Sequence, residues 1–382
     1  MEPPPFRLLV LKTGALGDVL RTTSILTGLE ERHGAGLEIT WVTARAARPL
    51  LAGLAETGRI ARLIDVDPKA VPPGLAADLV NGLAAGSAFD QVLSLDDEEP
   101  MCALATEVVC PGAVVEQRSG AFDAQRIEER IVGAYLDATG ERRYTRAAGP
   151  WFDMGLLSRR GKDAADALKV QNHKSHPQIY ADMFGIAPGQ PGLPLLDREE
   201  SGAADFYSLG KLGARGPVIG LNTGAGGRWT SKTMPLREVV RLIEHLHRSM
   251  AGQVHFLLLG GPSEAERNQT IAMHAANLAD PPHVVDGGSE NSLGEFAALI
   301  DRLDLLISSD SLALHLAIAR RRPIVSFFAP TSAAEIELYG LGEKVLSTAR
   351  DYCSYRKDAD NSTLTAERIG ESALRVLGTK VS

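Results

Sequence analysis

Along the first part of the chain, short unbroken apolar runs alternate with stretches in which apolar side chains recur every three to four residues. The runs Arg7–Lys12, Leu37–Thr43, Arg62–Asp67 and Gln91–Asp96 predict strands buried on both faces. Between them, Val19–Arg32, an Ala/Leu-rich stretch ending near Glu56, and Leu75–Ala85 predict helices. Such alternation specifies a parallel sheet covered by helices on both faces.

From Arg118 to about Phe184 the apolar runs thin out and charge rises, so this segment predicts helices and long loops without sheet. Pro and Gly are then dense from Ile186 to Pro194, which marks a linker. The pattern restarts with strands expected at Val218–Asn222, Val254–Leu259, His283–Asp286, Leu303–Ser308 and Ile324–Phe328. Helices are expected at Leu236–Ser249, Leu293–Leu299 and Thr365–Leu377. The reading is α/β: two doubly wound domains, residues 1–195 and 196–350, and a segment 351–382 whose helix is expected to fold back on the first domain. A cleft is expected between the domains, because such sheets bind ligands outside the carboxyl ends of their strands.

Composition narrows the partners. The chain has 382 residues, long for one core, with 44% hydrophobic and 23% charged residues. A net charge of −8 argues against nucleic acid as the main partner. Cys102, Cys110 and Cys353 are widely spaced, and there is no C-x-x-C, so inert thiols are expected. The start, MEPPPF, lacks the basic and apolar regions of a signal peptide. No apolar run approaches the ~20 residues of a membrane span. A cytoplasmic protein is expected, with peripheral docking on the inner membrane face left open.

Candidate chemistry lies in loops that follow strands. Thr13-Gly14-Ala15-Leu16-Gly17-Asp18 joins the first strand and helix. Gly14 and Gly17 let the backbone turn tightly, and Asp18 falls at the helix N-terminus. There it suits either a general base acting on an acceptor hydroxyl or an ordinary N-cap. The loop from Asn222 to Pro235 carries Thr223, Gly224, Arg228 and Lys232; glycines, hydroxyls and cations together suit a diphosphate. Gly260, Gly261 and Glu264 form a turn that either admits a nucleotide or merely caps a helix. Asp310, Ser311, Leu312 and His315 open another helix, whose N–H groups suit an anion, with His315 paired to Asp310. Asp65-Val66-Asp67 has the spacing of a metal-binding D-x-D, but solvated acids at a strand end explain it better. Asp96–Glu99 reads as an exposed loop, and no metal site is expected. The middle segment concentrates Arg159, Arg160, Lys162, Lys169, His173, Lys174 and His176. These suit an anionic acceptor, Lys169 and Lys174 above all, or else form a solvated face interleaved with Asp163 and Asp166.

In order along the chain, VLKTGALGDVLRTT, NTGAGGRWTSKTMP, GGPSEAER, DSLALHLA and FFAPT resemble the signatures of glycosyltransferase family 9, which contains the ADP-heptose:lipopolysaccharide heptosyltransferases. The resemblance covers both domains and leaves out the middle segment. It implies a GT-B fold of two Rossmann-like domains and a metal-independent inverting transfer without a cofactor. The donor would be ADP-heptose and the acceptor an anionic lipopolysaccharide core glycan. Asp18 would be the base and Lys232 the diphosphate cation. Glu264, Asp310, Ser311 and His315 would contact the donor. Leu312 stands where the family has Gly, as does Ala329 before Pro330-Thr331, and Gly226-Gly227-Arg228-Trp229 lengthens the loop before Lys232. Another nucleotide-sugar donor, a soluble metabolite or protein acceptor, and a binding module without turnover are the alternatives. The intact set Asp18, Lys232 and Asp310 favours turnover.

Overall fold

The computed structural model describes residues 4–378 except 85, 119, 156 and 228, so Arg228 lies outside the described residues. The chain divides into two compact units, Met1–Gly192 and Leu193–Ser382, with the boundary inside the Pro/Gly-rich stretch.

In the first unit the order is β1 (Phe6–Leu11), α1 (Leu16–Thr22), α2 (Ile25–His33), β2 (Leu37–Ala44), α3 (Arg48–Glu56), β3 (Arg62–Val66), α4 (Leu75–Asn81), β4 (Gln91–Ser94), α5 (Glu99–Val109), α6 (Ala124–Arg130), β5 (Ile131–Leu136), β6 (Arg142–Tyr144), α7 (Gly149–Phe152), α8 (Lys162–Gln171) and α9 (His176–Phe184). The sheet order is β3-β2-β1-β4-β5-β6, parallel except for the antiparallel β5–β6 pair. Alternate residues of β1 serve opposite cores: Leu8 and Val10 pack with Trp41 and Tyr180, while Leu9 and Leu11 pack with Val92 and Met101. Burial on both faces is why these strands read as unbroken apolar runs.

Two expectations are corrected here. The stretch read as one helix from Val19 is broken at Thr23–Ser24. The hydroxyls of Thr22 and Thr23 donate back to Asp18 O and Leu20 O, both at 2.7 Å, and Gly192 N–H donates to the Thr23 hydroxyl at 3.1 Å. Local side-chain bonds of this kind compete with helix continuation. The segment expected to lack sheet contributes β5 and β6. Its charged flanks hid a short buried run. Gly133 within β5 lies so close to β4 that a Cβ would meet Ser94 O at 1.8 Å.

The second unit runs α10 (Asp197–Leu209), β7 (Val218–Asn222), α11 (Leu236–Ser249), β8 (His255–Leu259), α12 (Ala265–Ala276), β9 (His283–Asp286), α13 (Leu293–Asp301), β10 (Leu305–Ser309), α14 (Leu312–Ala319), β11 (Ile324–Phe328), β12 (Gly342–Leu346) and α15 (Ala366–Val376). All its strands are parallel, in the order β12-β11-β10-β7-β8-β9. The last helix, α15, is part of the second unit. Its stripe Ala366, Ile369, Ala373 and Leu374 shares one core with Leu242, Ile243 and Leu246 of α11. Gly370 allows the close crossing, since a Cβ there would meet the His245 ring at 2.4 Å. Among the described residues, no helix is long and apolar enough to cross a membrane.

Candidate functional site

In each sheet the strand order reverses once, between β1 and β4 and between β10 and β7. Crevices at the carboxyl ends of such strand pairs are where doubly wound sheets take ligands. The candidate loops after β1, β7 and β10 emerge at these two places, and the Gly260–Glu264 turn follows the neighbouring β8.

In the first unit, Lys12 follows β1 and Asp96 follows β4. Lys12 Nζ donates to Asp96 Oδ1 at 2.5 Å. The other carboxylate oxygen accepts from the backbone N–H of Thr13 and from its hydroxyl at 2.7 Å. All three residues are buried. Burial alone would favour a neutral Lys12, but the charge and hydrogen bond of Asp96, with the charge of Asp18, outweigh it and hold the ammonium above its ordinary pKa. The reading of Asp96–Glu99 as an exposed loop is therefore corrected for Asp96, and Glu99 opens α5. The sequence signal for this pair is a charged residue at the end of each of two buried strands.

The Thr13–Ala15 turn so anchored leads into α1. Asp18 is the third residue of this helix, and Ala15 occupies the cap position. The N-cap reading of Asp18 is thus corrected. Its Oδ1 accepts from Arg21 at 2.9 Å, and the Arg21 guanidinium lies 5.8 Å from the centre of the Trp151 ring. Trp151 meets His176 and Tyr180 edge-on. Gly14 has open space where a Cβ would stand, and Gly17 lies within α1. The middle segment thus builds the wall beside Asp18, although no motif marked it.

The cations of that segment sit in carboxylate-centred pairs. Arg159 and Arg160 donate to Asp153 at 3.1 and 2.8 Å, Lys162 and Lys169 both reach Asp166, and Lys174 reaches Asp182 at 2.6 Å. Lys169 and His176 are buried, so neither belongs to a solvated basic face. Lys174 and Arg160 line a cavity of about 590 Å³ with Trp151, Ile179, Asp182 and Met183. Asp65 of the D-x-D pairs with Arg48 at 2.9 Å.

In the second unit the loop after β7 meets the loop after β10. Lys232 Nζ donates to Asp310 Oδ2 and to Asp310 O, both at 2.8 Å. Thr331 Oγ1 donates to the same carboxylate oxygen at 2.9 Å, and His315 Nε2 lies 3.8 Å from the other. Burial pushes the Asp310 carboxyl up, but Lys232, His315 and Thr331 together hold it well below the usual carboxylate range. Ser311 caps α14 with its backbone. Its hydroxyl accepts from Asn222 Nδ2 at 3.1 Å and shares a 3.0 Å bond with Ser308. Leu312 is the first residue of α14 and is half-buried.

The remaining donor candidates face inward. The Thr223 hydroxyl donates to Asn268 Oδ1 at 2.5 Å. Glu264 is buried and accepts from Gly261 N–H at 2.9 Å. A Cβ on Gly224 would stand 2.3 Å from Glu264 Oε1, and one on Gly260 would stand 2.5 Å from its Cβ. The space these glycines leave is filled by Glu264, which supports the loop from beneath. Arg267 closes the loop by donating to Thr223 O at 3.0 Å and to Met234 O at 2.5 Å. Sequence reasoning singled out neither Arg267 nor Thr331, although both lie within the quoted motifs.

Two doubly wound units of this kind, each with a polar cluster at its switch point, have the architecture of the GT-B fold. The profile of glycosyltransferase family 9 (heptosyltransferase) matches residues 157–365, more than half of the chain, and the chain belongs to that family. Among solved structures it is similar to a family 9 glycosyl transferase from Veillonella parvula, at 20% identity and TM-score 0.69 over 99% of this chain and 98% of that one. It is also similar to E. coli ADP-heptose lps heptosyltransferase II, at 18% identity and TM-score 0.60 over 97% and 98%. E. coli heptosyltransferase WaaC, solved with ADP, matches at 18% identity and TM-score 0.54 over 97% and 99%. No curated protein sequence matches the chain.

Proposed function

We propose that this heptosyltransferase-type enzyme moves a heptose from ADP-heptose to an anionic lipopolysaccharide core sugar, with inversion and without a metal ion. The observation that carries the reading is the cluster at the start of α14, where Asp310 holds Lys232 and Thr331 within 2.9 Å. A fixed ammonium beside a helix N-terminus is suited to the charge that develops on a departing diphosphate.

In the reaction, the Asp18 carboxylate takes the proton of the acceptor hydroxyl as that oxygen bonds to the anomeric carbon. The bond from this carbon to the β-phosphate oxygen breaks, and its electron pair leaves with ADP. Lys232 and the first N–H groups of α14 meet the new charge. One displacement inverts the anomeric centre. The anionic acceptor is supported by the likeness to E. coli ADP-heptose lps heptosyltransferase II, since Arg160 and Lys174 on the cavity beside Trp151 are paired with Asp153 and Asp182.

ADP as the donor nucleotide is supported by WaaC, which was solved with ADP and with ADP-2-deoxy-2-fluoro heptose. Leu312 favours a second reading, since it puts a side chain at the first position of α14, two residues after Asp310, where the family has Gly. Thermal unfolding against a panel of ADP-, UDP- and GDP-sugars separates the two. A ligand at 100 times its Kd stabilises by about 2.7 kcal/mol, so the true donor raises the Tm and the others do not. ADP-heptose is expected to do so, with turnover unchanged in EDTA. Stabilisation by a different nucleotide sugar alone would overturn the donor assignment, and loss of turnover in EDTA would overturn metal independence.

A further inference from the structure

We infer that Asn361 is a positioning residue for Lys232, and that the strap 351–361 which carries it sets the geometry of the donor phosphate site. The inference rests on the reading of Lys232 as the diphosphate cation.

Lys232 ends a single 3₁₀ turn, Thr230–Lys232. The chain enters this turn through Gly226 and Gly227, both with positive φ, at 70° and 72°. A lone turn after two glycines has little local means of holding a long, flexible cation in one place. The bonds that hold it come from far along the chain. Asn361 Nδ2 donates to Ser231 O at 3.1 Å and to Thr233 O at 3.0 Å, the carbonyls on either side of Lys232. Lys357 O accepts from Ser231 N–H at 3.1 Å and from the Thr230 hydroxyl at 2.9 Å. A side-chain amide carries two N–H donors on one nitrogen, which matches the two carbonyls that flank Lys232; a carboxylate of the same shape carries none.

The other end of the strap grips the loop after β11. Cys353 N–H donates to Ala329 O and Tyr355 N–H to Pro330 O, both at 2.8 Å. Ser332 N–H donates to the Tyr355 hydroxyl at 3.3 Å, and Ala333 N–H to the Tyr352 hydroxyl at 3.1 Å. These bonds flank Thr331. The strap therefore holds both partners that converge on Asp310 Oδ2, Lys232 from one side and Thr331 from the other. Cys353 and Tyr355 adopt φ of 61° and 53°, a conformation unfavourable for residues with a Cβ. Such strain persists only where surrounding contacts impose it, and it clusters at functional sites.

The test measures ADP binding by calorimetry on the full chain, for Asn361→Ala, Lys232→Met and the double variant. Asn361→Ala is expected to weaken ADP about tenfold, as the loss of charge-site organising hydrogen bonds would. In the Lys232→Met background the same change should add almost nothing, because the group being positioned is gone. Acceptor KM should not move. Thr230→Val, which removes only the bond to Lys357 O, should weaken ADP in the same direction by less, and it keeps the test open if Asn361→Ala misfolds. Full ADP affinity in both Asn361→Ala and Thr230→Val, or an equal loss with and without Lys232, would overturn the inference while leaving the donor site intact. Full affinity in Lys232→Met would overturn the role of Lys232 itself, and the inference with it.

Discussion

Asp96→Asn tests the anchoring of the Asp18 loop. In the native fold the Asp96 carboxylate accepts from three donors: Lys12 Nζ, the Thr13 N–H and the Thr13 hydroxyl. An asparagine keeps the shape but turns an N–H₂ group toward one of these donors, and it leaves the Lys12 ammonium buried without its counter-ion. Lys12 and Asp96 are 7% and 5% exposed, so solvent cannot compensate. Removing one partner of such a pair costs roughly 3–5 kcal/mol, which in a unit of this size lowers the Tm by roughly 6–20 °C. Differential scanning calorimetry of the full chain measures the shift. Replacing both residues, Lys12→Met with Asp96→Leu, should destabilise less than Asp96→Asn alone, because no unpaired charge is left inside and only the Thr13 donors lose their acceptor. A Tm for Asp96→Asn within about 2 °C of the native value would show that the pair is not desolvated as described, and the anchoring argument would fail.

The other expectations concern Asp18 and the acid limb of stability. Asp18→Ala should lower turnover by ~10²–10⁴-fold with ADP affinity and Tm nearly unchanged, since Ala15 and not Asp18 caps α1. A variant that melts early yet keeps its specific activity would return Asp18 to a structural role. His255 and His283 face each other across β8 and β9 with Nδ1 atoms 2.6 Å apart, and Arg215 N–H donates to His255 Nε2 at 3.2 Å. Burial, then the charges of His283 and Arg215, lower the His255 pKa, so folding favours its neutral form. That stability is present above the ordinary histidine value of about 6.5 and is lost as pH falls through the lowered folded value. Unfolding followed from pH 7.5 to 5 should show this loss, and His255→Phe should flatten it; an identical slope in the variant would place the acid sensitivity elsewhere.

The strands and the two switch-point loops were legible because their signals are local. A parallel strand buried on both faces must be apolar throughout, and a loop that approaches a phosphate needs glycines and donors within a few residues of each other. Val218–Asn222 and Ile324–Phe328 therefore carry the same bounds in sequence and structure, and the family resemblance followed from loops in order. What the chain did not disclose were features made by distant partners. Asp96 looked like part of an acidic loop until β4 lay beside β1 and gave it Lys12. That Gly224 and Gly260 both pack against Glu264 was not visible until their loops lay side by side. β5 and β12, with charged flanks or few apolar residues, gained their identity from pairing with β4 and β11. The helix of 366–376 carried an apolar stripe that any core might have covered, and only its crossing with α11 at Gly370 assigned it to the second unit. Apolar period and turn chemistry are written residue by residue. The partner of a buried charge, and the occupant of a gap, exist only once segments far apart in the chain are side by side.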